Sequence, residues 1–175
     1  MRHLVALGLG LFVMVAACGG SDAPAPQALP RVAASSPQPR PPTQPPTPSP
    51  REQVVSVVRH YYAAANRLPD DMDPHSLASL FTAACPCRAQ VQAVRRAAAR
   101  GEHYIDHAHL NALRPTIESS RRAVVFVDLA AASGGLRRAD GTVVTSAPPA
   151  RHVRRVFHLV KISDRWLIDQ IDAVG

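Results

Sequence analysis

Apolar and polar positions divide the chain into three stretches with different periods. Residues 4–15 are an unbroken run of apolar residues and glycine, shorter than the ~20 residues that cross a bilayer as a helix. Over 19–48 large apolar side chains nearly vanish and proline dominates. Beyond Ser49 the apolar positions return at regular spacing. Val54, Val58, Tyr61 and Ala65, widened by Val55 and Tyr62, form a helical stripe that predicts a helix ending near Asn66. Ser49, Pro50 and Glu52 supply its capping box and first-turn proline. Asp73-Pro74 predicts a second, short helix with Leu77, Leu80 and Phe81 on its apolar side. A third is predicted from Pro86 to about Arg100, with Cys85 as cap and Gly101 as a left-handed stop. Cys87, Val91, Val94 and Ala98 mark its inner face, and Arg88, Arg95, Arg96 and Arg100 its solvated one.

After Gly101 the period shortens to two. Strands are predicted over 104–111, with continuation past Leu113 until Pro115 interrupts it, and over 123–130. Asp140-Gly141 predicts a hairpin between 136–139 and 142–145. Pro148-Pro149 breaks the chain, and two long strands follow over 152–162 and 166–174. Helices followed by antiparallel strands give an α+β class. Three N-terminal helices would pack on a curved antiparallel sheet of four or more strands, making a cone.

The first stretch carries an address. Met1-Arg2-His3, the apolar run and the small residues of Val15-Ala16-Ala17-Cys18 have the form of a cleaved export signal. This start resembles that of bacterial lipoproteins. The resemblance implies that 1–17 is a signal peptide, that Cys18 is lipidated, and that the chain sits at the extracytoplasmic face of the cell membrane. Two or more acyl chains make such anchoring stable rather than reversible. Residues 18–48 then read as a tether, since eleven of the 17 prolines lie between 19 and 50. Polyproline II at ~3.1 Å per residue would hold the domain, residues 49–175, up to ~90–100 Å from the lipid.

Composition changes this picture little. The formal charge is +7, from nineteen arginines and one lysine. With the alanine and proline excess it reflects a GC-rich coding genome, and export argues against a nucleic-acid partner. A basic surface suits anionic lipid or acidic envelope polymers.

Three cysteines are an odd number for an oxidising compartment, and assigning Cys18 to lipid leaves Cys85 and Cys87 as a pair. A disulfide there is geometrically open to residues two apart and would clamp the helix start. Free thiols, a redox couple and metal ligation remain alternatives.

Among other candidates, His103, His107 and His109 would share a strand face, with His107 and His109 as conceivable metal ligands, though no further ligand completes a set. Asp106, Asp128, His158 and Asp169 are strand-borne acid–base candidates, but nothing in their spacing brings two together. No catalytic set, cofactor site or metal site is assigned.

Cys85-Pro86-Cys87 opening a helix that ends at Gly101, the Asp140-Gly141 hairpin and the closing Arg165-Trp166-Leu167-Ile168 strand together resemble the NTF2-like, or SnoaL-like, α+β cone. More narrowly they resemble uncharacterised actinobacterial lipoproteins in which a Pro-rich tether leads to such a domain. The Cys18 signal, the tether and the absence of a catalytic set point to a lipid-anchored, non-catalytic module that binds an envelope protein or a small apolar ligand. The alternatives are a cone-pocket enzyme of isomerase or hydrolase type, and a thiol–disulfide protein using Cys85 and Cys87. Oligomeric state is left open.

Overall fold

The computed structural model describes residues 47–174. The expected signal peptide, Cys18 and nearly all of the expected tether lie outside the described residues. Among the described residues no helix is long and apolar enough to cross a membrane.

Helix α1 (Pro50–Ala65) opens as its sequence requires. The Ser49 hydroxyl accepts from Glu52 N–H at 3.3 Å, and the Glu52 carboxylate accepts from Ser49 N–H at 2.6 Å. Both bonds satisfy donors that a helix start leaves unpaired. A single turn, α2 (Leu68–Asp71), follows and makes four helices rather than three. Pro69 sits at its start, and Met72 closes it in the left-handed region at φ 47°. Helix α3 (Pro74–Ala78) is capped by Asp73, which accepts from His75 N–H and Ser76 N–H. It is shorter than its apolar pattern predicts. Phe81 leaves it to bridge Ile168 in parallel, with Thr82 N–H donating to Ile168 C=O and Ile168 N–H to Leu80 C=O.

Helix α4 (Arg88–Ala99) starts two residues later than expected, with Cys87 rather than Cys85 at the cap position. Turn bonds from Cys85 N–H to Thr82 C=O and from Arg88 N–H to Cys85 C=O put Cys85 inside a tight turn. Its side chain is buried in the core. Val91, Val94 and Ala97 are the buried stripe, so Ala97 takes the place predicted for Ala98, which is exposed. Gly101, at φ +67°, ends the helix.

The strands form two antiparallel sheets. One has the order β1 (Glu102–Tyr104), β4 (Gly134–Arg138), β5 (Val143–Ala147). The other has the order β2 (Ala108–Ile117), β3 (Arg122–Ala131), β6 (Ala150–Ile162), β7 (Arg165–Val174). The strand expected over 104–111 is therefore split between sheets at residues 105–107. Pro115 does not end β2 but pairs with Val125. An edge strand tolerates it, because alternate residues there need no partner for their N–H.

The core lies between the helices and one face of the larger sheet. Val125, Val127, Phe157 and Ile168 are completely buried there against Val54, Val58, Leu77 and Val94. The opposite face carries Val124, Phe126 and Asp128 of β3, by the two-residue alternation.

Glu102, at the start of β1, is a buried carboxylate clasped by Arg100 through Nε at 3.0 Å and Nη2 at 2.7 Å. The Arg100 hydrogen bonds, and then its charge, hold the carboxyl below its ordinary value of 4.5. A depressed carboxyl stabilises the fold fully above its unfolded value, and that contribution fades as pH falls through the lower folded value. The melting-temperature difference between wild type and Glu102→Gln should therefore be largest near neutral pH and shrink below pH 4.5. A difference that stays constant down to pH 3 would contradict it.

Candidate functional site

Where α1 ends, five segments leave a gap between them. A cavity of about 210 Å³ opens there. Tyr61, Tyr62 and Ala65 of α1 form one wall, and Leu68 of α2 another. Tyr104 closes β1, and Asp106 and His107 occupy the link to β2. Ala131 and Gly134 frame the link from β3 to β4, and Pro148 the link from β5 to β6.

The tyrosines reach the cavity because α1 lies across β6. Phe157 stands under them, with ring centroids 5.2 Å from Tyr61 and 5.8 Å from Tyr62, both edge-on. Tyr61 donates its hydroxyl to Gln90 Oε1 at 3.0 Å. Tyr62 is buried, yet its hydroxyl has no hydrogen-bond partner among the described residues. It differs there from Trp166, whose Nε1 is also unpartnered but sealed from solvent. Burial pushes the phenols of Tyr61, Tyr62 and Tyr104 upward, so all three stay uncharged at neutral pH.

Asn66, the C-cap of α1, fixes the cavity's floor. Its amide pairs with both backbone groups of Ala108, each at 2.8 Å, welding the helix end to the first residue of β2. Asp106 is fixed in another way. Its Oδ1 accepts from Gly135 N–H at 2.7 Å, and a Cβ at Gly134 would run into the same carboxylate. Gly135 adopts φ +141° with the Thr145 carbonyl where a side chain would stand. Gly135 is thus required by close approach of backbone, and Gly134 by the position of the Asp106 carboxylate.

The remaining candidates are scattered. Asp128 lies on the outer sheet face, 3.3 Å from His152 Nδ1. His158 lies on that face too, 3.0 Å from Asp172. Asp169 accepts from Thr82 Oγ1 at 2.7 Å and secures the Phe81 bridge. The strand break at 105–107 parts the histidines, leaving His103 in the smaller sheet, His109 in the larger, and His107 alone at the cavity. The shared histidine face does not form. Of the acid–base candidates only Asp106 meets the cavity, and no hydrogen bond joins it to His107 or to a tyrosine among the described residues. Tyr62, Tyr104, Asn66 and Gly134 were not singled out as site residues by sequence. Gly134-Gly135, next to a strand, was the one usable signal.

Cys85 and Cys87 are paired, with Cα atoms 5.1 Å apart. Cys85 belongs to the buried core. Cys87 is half-buried, so the burial of Cys85 does not by itself separate a local clamp on the helix start from a redox couple. Thiol labelling of the folded protein without reductant should modify neither residue, and quick labelling of both would contradict the clamp. Cys87→Ser, which opens the loop at its half-buried end, should cost about 1–2 kcal/mol, since the closed loop is so short.

No family model matches the chain, and no curated protein matches it. Solved structures do. The intermembrane-space region of the chloroplast protein ARC6 superposes at a TM-score of 0.58, with 14% identity, over 74% of this chain and 99% of that one. A protein with a cystatin-like fold from Caulobacter vibrioides gives 0.51 at 15% identity, over 70% and 88%. An NTF2-like protein of unknown function from Shewanella oneidensis gives 0.49 at 13% identity, over 73% and 100%. The ARC6 region and the cystatin-like protein share this chain's α+β fold of helices packed on antiparallel sheet. At these identities the likeness concerns the fold alone, so function must be argued from the cavity.

Proposed function

We propose that the NTF2-like domain is the ligand-binding module of a lipid-anchored envelope protein, and that it holds a small, largely apolar molecule without transforming it. The observation that carries this reading is the cavity. Apolar cavities of about 150 Å³ hold a benzene-sized molecule, and this one measures about 210 Å³ between tyrosine, leucine and alanine walls. The free Tyr62 hydroxyl offers one polar handle inside it. A concave site of this kind favours a small molecule over a partner protein.

The test is a calorimetric titration of the full chain with 2-phenylethanol. Wild type should bind saturably. Ala131→Phe, which places a ring in the cavity, should fold and fail to bind. Equal binding by both, or none by wild type, would overturn the reading.

Anchoring rests on Val15-Ala16-Ala17-Cys18 and the proline-rich stretch behind it. Mass analysis of the membrane fraction should find a mature chain acylated at Cys18. An unmodified peptide reading through Ala17-Cys18 would remove the anchor, and with it the actinobacterial lipoprotein reading.

One observation favours proton-transfer catalysis instead. Asp106, His107 and Tyr62 line one cavity. Against it, Asp106 and His107 are exposed, whereas a general base is tuned by partial desolvation. Recovery of chemically unchanged ligand after prolonged incubation would support binding; conversion that Asp106→Asn abolishes would establish the enzyme.

A further inference from the structure

We infer that the cavity takes a small organic amine, with its ammonium on Asp106 and its apolar body against Tyr62 and Leu68. The inference rests on the cavity's being a ligand site, and it specifies the ligand's charge.

Charge is distributed unevenly around the cavity. The chain holds 20 lysines and arginines against 13 acids, yet among the described residues no lysine or arginine lines this space. Its ionisable lining groups are Asp106, His107 and tyrosines that burial keeps uncharged. Arg155 and Arg96 influence the tyrosines only from beyond the lining, and Arg100 is spent on Glu102. Asp106 and His107 are the lining groups that can carry a formal charge, and no lysine or arginine among the described residues stands with them. A carboxylate or phosphate ligand would face Asp106 with no lysine or arginine there to pair with it. An ammonium would find an acceptor.

The seat of Asp106 is built. Gly134 leaves the space its carboxylate fills, and Gly135 holds Oδ1 at 2.7 Å while adopting a backbone that side chains rarely accept. Oδ2 has no partner among the described residues. The bond to Gly135 thus fixes one oxygen and leaves the other free for a donor. The unpaired Tyr62 hydroxyl adds a neutral acceptor. A charge-assisted hydrogen bond between ammonium and carboxylate is about twice as strong as a neutral one, so the amine should outbind its alcohol counterpart.

The test compares phenethylamine, 2-phenylethanol and phenylacetate, which share one ring and differ in head group, by calorimetry on the full chain at pH 7. Phenethylamine should bind about two- to fivefold tighter than 2-phenylethanol, the advantage an exposed carboxylate gives a cation, and phenylacetate weakest. Asp106→Asn keeps an oxygen for Gly135 N–H and should bring amine and alcohol level. Gly134→Ala, which pushes the carboxylate off its seat, should weaken the amine far more than the alcohol. If the alcohol binds but the amine has no advantage, if phenylacetate leads, or if Asp106→Asn leaves the preference intact, the amine assignment fails and the cavity reading survives. If none of the three binds, the cavity reading fails and takes the assignment with it.

Discussion

Phe157→Ala is expected to destabilise the domain by about 3–5 kcal/mol, the usual cost of emptying a core phenylalanine site. Phe157 is completely buried at the centre of β6, and both α1 tyrosines lean on its ring. Truncation removes its transfer energy and leaves a void that the tyrosines, both fixed on α1 and Tyr61 also held by Gln90, can only partly fill. Since domains of this size are stable by about 5–15 kcal/mol in total, a large share of the stability goes with one ring. Urea unfolding should give a lower midpoint at an unchanged slope. The same variant should weaken ligand binding, because Tyr61 and Tyr62 are wall as well as core. A loss below about 1 kcal/mol would mean that the site collapses freely, contrary to close packing.

Asn66→Ala should cost about 2 kcal/mol or more, because each part-buried polar group left unpaired costs about 1–3 kcal/mol. The substitution strands both backbone groups of Ala108 at once. Asn66→Asp tests the mechanism, since it keeps the acceptor for Ala108 N–H and loses the donor to Ala108 C=O. Its loss should be intermediate. Hydrogen exchange at the Ala108 amide reads the contact directly: protected in wild type, retained in Asn66→Asp, and fast in Asn66→Ala. Slow exchange in Asn66→Ala would show that the helix end and β2 are held by something else.

Much of this architecture was legible in the chain. The Ser49–Glu52 and Asp73 caps, the Gly101 stop, the Asp140-Gly141 turn and the two closing strands depend on local chemistry that few tertiary contacts overrule. Errors fell where distant partners decide. Phe81 fits a helical stripe, yet Ile168, far along the chain, draws it into a bridge. Pro115 reads as a strand breaker, but β2 is an edge, where a missing N–H goes unnoticed. The histidines at 103, 107 and 109 keep a two-residue spacing that is meaningful only if the strand is continuous, and the break at 105–107 removes that condition.

The site was less legible than the fold. The spacing of Tyr61 and Tyr62 marks them as core, and they are core. That they also form a cavity wall depends on how α1 crosses β6 and on where three links stop short of each other. Asp106 was named among four equal candidates. What distinguishes it is the seat at Gly134 and Gly135, some thirty residues on, a proximity that no local pattern encodes.

The most direct check on the cavity as the ligand site is a set of nuclear Overhauser contacts measured on the full chain saturated with phenethylamine. The account predicts contacts from the probe's ring to Tyr62 and Leu68, and from its methylene beside nitrogen to the Asp106 region. Contacts confined to the Trp166 side of α1, or to the outer sheet face around Phe126, would contradict it.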